Sequence, residues 1–572
     1  MQAVSRGVSG VELRAEGPLA GAVPEGALMC GLVPEDVEAA LRAEYGSGLT
    51  RTELFAAAAL GGVLPRVPRR PENPDAASGV PSGTVPEGAG ARRAMILSTT
   101  KGNVSLLEGA VGESEDGVPD IPEGAFLAAA SKKIASLFGL ENDCYTVSNA
   151  CISGVSALVV AKRMIEFGKY DEVAVVGADT LNPFIVSGFA SFKSLSPDLC
   201  RPYDAARCGL NLGEAAGAVL LSAFPAEGVA VISGGAVSND ANHISGPSRT
   251  GDGLYFAIRD AMDDAGVGAG DISFLNLHGT ATAYNDEMES KAVALAGLSD
   301  RPAQSFKPYI GHTLGACGVV ETILCIRELQ CGDVWGTPGY ETPGVPCALN
   351  VSATAVKTGM RHCVKTASGF GGCNAAVVLS LPDEAKDMPD RPLAGIRTVG
   401  KVVMDNADSA AKGFGGEFGE YIRAEYRALG QANLKFFKMD DMGKLAYVAA
   451  AKLLGDMEFA PEEMAVILQN SSSSLDTDIR HQRNISHGGG ASPAVFVYTL
   501  PNVASGEISI SRGIKGENTF FISEKYDGGF LLGYAAEVLT CTPAKYCIAG
   551  RLEYLGGEFS AVLELVEKSK DY

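Results

Sequence analysis

The sequence predicts an α/β fold of parallel sheets and crossover helices, with part of that fold repeated near its C-terminal end. Three observations carry this. The 572 residues are 46% hydrophobic with 70 glycines, which suits about three to four domain-sized units rich in tight strand–helix turns. Between residues 144 and 178 a strand, a helix and a second strand follow in order, the unit of a parallel sheet. From about residue 462 the same order starts again.

Taken in order, LTRTELFAAAALGGVL (49–64) reads as a helix, the Pro/Gly/Ser-rich run 66–93 as an exposed loop, and AMILST (94–99) as a buried strand. AFLAAASKKIASLFG is helical and leads to the strand CYTVS (144–148). A helix over 152–167 and the strand EVAVVGA (172–178) follow. A second set comprises the strands 229–238 and 272–279, helices near 251–265, 286–297 and 312–330, and two closing strands, HCVKTASGF (362–370) and NAAVVLSL (374–381). The charged, proline-bearing stretch around 383–394 reads as a linker. Beyond it EEMAVILQNSSSSLD (462–476) echoes RRAMILSTTKGNVSL, and GENTFFIS (516–523) echoes LENDCYTVS. The helix 529–540 and KYCIAG then echo the helix and strand after CYTVS. These limits give units 1–228, 229–382 and 395–572.

The net charge of −21 argues against non-specific nucleic-acid binding, which runs on basic surface. The 13 cysteines lack the CxxC pairs of a metal or redox motif and read as reduced thiols of a cytoplasmic protein. No signal peptide is expected, and no apolar run reaches the roughly 18 residues of a membrane span.

Chemistry concentrates in three stretches. In SNACISGVS, Cys151 stands at a strand-to-helix turn, where helix-start amides favour a thiolate. In LHGTATAYNDEMES, His278 ends an apolar strand and points to a cleft at the carboxyl end of a sheet. In KPYIGHTLGACGVVE, His312 follows Gly311 and opens a Gly/Ala-rich helix that permits close backbone packing, with Lys307 upstream and Glu321 downstream. The KxxxGH pattern lacks the GxxxxGK[ST] of a phosphate loop.

As a set, NACISG, HGTAT…ND and K…GHTLGACG, joined by RPYDAARCGLNLGEAAG, SNDANHISGP and SGFGGCNA, resemble the β-ketoacyl-[acyl carrier protein] synthases of the elongating Cys-His-His type. The resemblance covers roughly residues 45–382 and departs at Asn149, where Thr is more usual, and at Ala215, where Gly is more usual. It implies a thiolase-like fold, duplicated mixed sheets sandwiched by helices, with an additional half-ketosynthase α/β domain. It implies decarboxylative Claisen condensation of an acyl chain on Cys151 with malonyl-[acyl carrier protein]. His278 and His312 would assist, Lys307 and Glu321 would support them, and Phe370 would be the gate, its N–H and that of Cys151 forming the oxyanion hole. The implied partner is an acyl carrier protein bearing phosphopantetheine; no metal or other cofactor is called for. Thiolases would end in a second catalytic cysteine, and initiating synthases would pair Cys with His and Asn.

The repeat aligns SEKYDGG (523–529) with SNACISG and carries no cysteine there. Cys541 and Cys547 read as core residues, and His481 and His487 as members of a polar loop. The repeat resembles a truncated chain-length factor, implying either a homodimer or a pseudo-heterodimer within one chain.

Overall fold

The computed structural model describes residues 9–24, 26–66, 91–112, 120–224, 229–387, 391–430 and 433–569; most of the expected loop 66–93 and part of the linker lie outside them. The fold is organised by two sheets. The larger has nine strands: β1 (Arg93–Ser98), β2 (Cys144–Val147), β3 (Glu172–Asp179), β4 (Ala215–Ser222), and, after the second sheet, β11 (Ile396–Asp405), β12 (Met464–Asn470), β13 (Asn518–Ile522), β14 (Tyr546–Leu555) and β15 (Glu558–Lys568). Their order is β11-β15-β14-β12-β13-β2-β1-β3-β4. The smaller sheet runs β8-β7-β6-β9-β10-β5, from β5 (Val231–Asn239), β6 (Ile272–Asn276), β7 (Pro302–Gln304), β8 (Asn350–Val351), β9 (His362–Gly369) and β10 (Cys373–Ser380).

The repeat read from sequence is a repeat in space. β1 pairs in parallel with β2 and β3, and β3 is antiparallel to β4. β12 pairs in parallel with β13 and β14, and β14 is antiparallel to β15. The two sets meet where β13 lies antiparallel on β2, with Phe521 opposite Val147 and Ile522 opposite Thr146. Ser148 N–H extends this ladder to the Phe520 carbonyl at 3.1 Å. Asn149, the departure noted in sequence, adds two side-chain bonds: Nδ2 donates to the Asn518 carbonyl at 2.9 Å, and Oδ1 accepts from Phe520 N–H at 2.7 Å. The edges of both half-sheets are thereby satisfied within one chain.

Helices sandwich the sheets. α1 (Arg51–Gly61) opens on a Thr50/Glu53 capping box. α2 (Leu127–Ser136) and α3 (Ser153–Glu166) flank β2; every residue of α3 from Ser153 to Met164 is buried, the small and apolar run to Ala161 by packing and Lys162 and Arg163 through ion pairs. α4 (Pro183–Ser191), α5 (Asp252–Ala265) and α6 (Ala283–Leu295) follow. α7 (Cys317–Cys331) crosses α3 at two glycines. A Cβ on Gly154 would lie 2.8 Å from the Gly318 Cα, so the Gly/Ala pattern serves backbone-to-backbone contact. In the second copy α8 (Asp441–Leu454), α9 (Leu475–Ser486), α10 (Asn502–Arg512) and α11 (Gly528–Cys541) complete the set.

The expected polar loop over 480–492 is corrected in its first part, which is helical to Ser486; His487 stands in the exposed turn that follows. His481 lies within α9, fully buried, its Nε2 3.1 Å from the Phe184 carbonyl and its ring edge-on to Phe184. Arg480 and Ser486 of α9 are exposed, while Thr477, Asp478, His481 and Gln482 are buried, with His481 toward the first copy. Cys547 is core, as expected; Cys541 is only partly buried.

Two ion pairs between the copies are buried. Arg163 of α3 donates Nη1 to both Glu517 oxygens, at 2.9 and 2.8 Å, and to Tyr534 Oη at 2.9 Å. Lys101 donates to Asp478 at 2.8 Å. Removing one partner strands a charge in the junction. Arg163→Met is expected to lower stability by about 3–5 kcal/mol in urea titration, and adding Glu517→Gln to recover much of that loss. A single variant within about 0.5 kcal/mol of the parent would show that the pair contributes little.

Candidate active site

The site lies where β2, β6 and β9 end. After β2 the chain turns through Ala150, whose φ of 49° is left-handed for a residue with a Cβ, a conformation that costs about 1 kcal/mol or more and persists only when the surroundings fix it. Here Asn149 N–H donates to Ser153 Oγ at 2.8 Å, and Ser153 Oγ donates to the Ala150 carbonyl at 2.6 Å. The turn delivers Cys151 to the first 3₁₀ turn ahead of α3.

His312 is fixed by the stretch LNLGEAAG. Its N–H donates to the Asn211 carbonyl at 2.7 Å, and its carbonyl accepts from Gly213 N–H at 3.0 Å. A Cβ on Gly213 would lie 2.0 Å from the Ile310 carbonyl oxygen, so only glycine fits. His312 Nε2 then stands 3.1 Å from Cys151 Sγ. His278, at the end of the segment after β6, donates its N–H to Glu289 Oε1 at 2.7 Å. The two imidazoles are perpendicular with centroids 5.0 Å apart.

Lys307 and Glu321 form a fully buried ion pair beneath the histidines. Sequence reading missed Lys365 of β9, which bonds the other oxygen of Glu321 and is equally buried. It also missed Glu289, which accepts from the His278 and Gly279 amides and from Tyr203 Oη. Nothing in local spacing marks either residue.

Burial drives both imidazoles well below their ordinary value. Lys307 and Lys365 push both the same way, and His312 adds to the effect on His278. Burial also raises the Glu321 carboxyl, but the two lysines outweigh it and hold the group ionised. For Cys151, burial, then the neighbouring Cys317 and Cys373, raise the thiol well above its usual value; Lys307 opposes them. Burial thus opposes the thiolate that the helix start favours, and His312 Nε2 stands beside the sulfur.

Phe370 follows β9. A Cβ on Gly369 would lie 3.1 Å from Cys151 N, so this backbone runs directly against Cys151. Cys373 is no second catalytic thiol: it is buried and its Sγ donates to the Phe370 carbonyl at 3.2 Å. Cys151, His278 and His312 border a cavity of about 450 Å³ together with Phe189, Phe192 and Phe370. The three donor atoms lie within 4.8 Å of one another and match a zinc site by type. Two buried ammonium groups sharing one carboxylate sit beside them, and that charge favours an anion over a cation.

The model of the β-ketoacyl synthase N-terminal domain matches residues 78–224, and that of its C-terminal domain residues 229–341. A putative polyketide β-ketoacyl synthase 1 of Streptomyces cyaneus is 34% identical over 282 residues, 46% of this chain and 67% of that one. The chain belongs to the β-ketoacyl synthase family. Nodulation protein E of Rhizobium meliloti is 31% identical over 284 residues, 48% of this chain and 69% of that protein. The solved ishigamide ketosynthase/chain length factor is 27% identical with a TM-score of 0.55, over 66% of this chain and 93% of its own. The PfaC keto synthase–chain length factor shares the fold at 17% identity and a TM-score of 0.65, over 84% of this chain and 67% of its own. The thiolase-like fold and the acyl-transferring class of this ketosynthase are thus as the sequence predicted. Among the described residues no helix is long and apolar enough to cross a membrane.

With both histidines held neutral, their protonation falls well below pH 6.5. The acid limb of turnover is expected below pH 6, with rates at pH 6.5 and 7.5 within about twofold. A half-maximal rate at or above pH 6.5 in a pH–rate profile would place a working imidazole near its ordinary value.

Proposed function

We propose that this ketosynthase elongates a carrier-bound acyl chain by decarboxylative condensation, with the cysteine-less copy serving as a chain-length-factor-like partner in the same chain. The observation that carries the chemistry is the 3.1 Å contact of His312 Nε2 with Cys151 Sγ, with His278 alongside. Cys151 sulfur attacks the acyl thioester carbonyl while its proton passes to His312. The tetrahedral oxyanion is held by the Cys151 and Phe370 amides and collapses to acyl-Cys151, releasing the carrier thiol. His312 returns its proton to the departing carrier sulfur; malonyl thioester then loses CO₂ beside the histidines, with a His278 N–H holding the enolate oxygen. The enolate carbon attacks acyl-Cys151 and expels the sulfur as a thiolate, which takes up a proton from solvent, giving the 3-oxoacyl carrier and the Cys151 thiol. Lys307 and Lys365, tied to Glu321, keep the histidines neutral and the pocket attractive to a carboxylate.

The division proposed is a nucleophile half (1–228), a histidine half (229–382), a linker (383–394) and the partner copy (395–572). The partner packs behind the cavity wall through Phe496, whose ring lies 5.6 Å from that of Phe189, which lines the cavity beside His312 and Phe370. A Cβ on Gly188 would fall 2.3 Å from that ring, so helix α4 is cut to receive it. Its appended copy favours a polyketide or polyene product over an ordinary fatty acid. The carrier protein is the implied partner.

Incubation with an acyl carrier and peptide mapping is expected to place one acyl group on Cys151 alone; label on another cysteine, or undiminished turnover by Cys151→Ala, would refute the assignment. His278→Ala is expected to lose about 10²-fold or more in condensation. Phe496→Ala is expected to lengthen the products, read by mass of the released chains; an unchanged length distribution would show that Phe496 does not support the tunnel wall.

A further inference from the structure

The turn after β9 is gripped from the other copy. Asn502, the first residue of α10, is buried and donates Nδ2 to the Phe370 carbonyl at 2.8 Å. The same nitrogen lies 3.6 Å from Cys373 Sγ. The fit is close on both sides. Gly371 has φ of 88°, and a Cβ there would lie 2.6 Å from Asn502 Nδ2. One turn along α10, a Cβ on Gly506 would lie 2.7 Å from the Gly371 carbonyl oxygen. Within the first copy, the turn is held by Asn239, whose Nδ2 donates to the Gly371 carbonyl at 2.9 Å, and by Gly371 N–H bonding the Ile244 carbonyl.

The two copies differ at this place. α2 packs on β2 as α10 packs on β13, and the first residue of α2 is Leu127 where that of α10 is Asn502. A pairing of two identical synthase halves would set Leu127 against the turn, and leucine has no donor. The Phe370 carbonyl would then lose its amide donor and keep only the weak thiol donor of Cys373, at 3.2 Å.

We infer that Asn502 is a positioning residue for the nucleophile's oxyanion hole, so that the cysteine-less copy completes the active site of the other copy. This rests on the reading of Cys151 and Phe370 given above. By fixing the Phe370 carbonyl, Asn502 fixes the orientation of the adjoining backbone, which runs against Cys151 N. It touches neither histidine. Its effect therefore falls on acyl transfer to Cys151 and spares the loss of CO₂ from malonyl thioester.

The test uses the full chain with Asn502→Leu, which keeps size, and Asn502→Ala. Two half-reactions are measured: acylation of Cys151 by an acyl carrier, followed by intact mass, and conversion of malonyl carrier alone to acetyl carrier. Thermal unfolding verifies the fold. Acylation is expected to fall about tenfold or more and decarboxylation by less than about threefold. Lys515→Ala, which cuts the exchange with Asp252 elsewhere on the junction, is expected to change neither. Equal losses in both half-reactions, no loss in either, or failure of both variants to fold would show Asn502 to be architectural and overturn the inference. A parent protein that is never acylated at Cys151 would instead defeat the condensing assignment itself.

Discussion

The antiparallel contact of β13 on β2 is the constraint on which the rest depends. β2 is a four-residue strand in the middle of a nine-stranded sheet, and its last residues lead straight into the turn that bears Cys151. Left unpaired, it would expose backbone donors and acceptors three residues from Cys151. The second copy covers that edge, and Asn149 extends the pairing by two side-chain bonds to the residue pair before Cys151. The junction and the turn that bears Cys151 therefore share the same hydrogen bonds.

The site is built from opposed electrostatic tendencies. Burial alone would discharge every group in it, and it opposes charge on Cys151, His278 and His312. Glu321 remains ionised because two lysines reach it from different elements. The outcome is a thiol and two imidazoles whose burial disfavours charge, over a floor where two lysines share Glu321. Such a floor suits chemistry in which a carboxylate enters, CO₂ leaves and an enolate must be held. The second copy keeps the sheet and its helices but carries Tyr526, 41% exposed, in the segment that matches the Cys151 turn. Among the described residues it has no layer corresponding to the smaller sheet that bears the histidines.

Much of this was legible in sequence because the informative residues sit in short, unusual contexts. Cys151, His278 and His312 each end an apolar strand or open a small-residue helix, so backbone pattern and chemistry point to the same positions. The repeat was legible because strand order survives where identity does not. Lys365, Glu289 and Asn502 were not legible. Each is a single polar residue whose partner lies tens to more than a hundred positions away, and local period records only which face a side chain takes, never what meets it. His481 was misread for the related reason that polarity around it reads as solvent exposure, which holds for Arg480 and Ser486 of α9, whereas its own side packs on Phe184 of the first copy. Asn149 appeared as a mere departure from family habit until β13 was placed beside it.

The central claim is that one chain holds one competent and one incompetent copy closed on each other. Native mass measurement of the full-length protein after saturation with an acyl carrier tests it most directly. The account predicts a single 59.2 kDa chain carrying one acyl group. A particle of two chains exchanging their C-terminal copies, or a chain carrying two acyl groups, would contradict it.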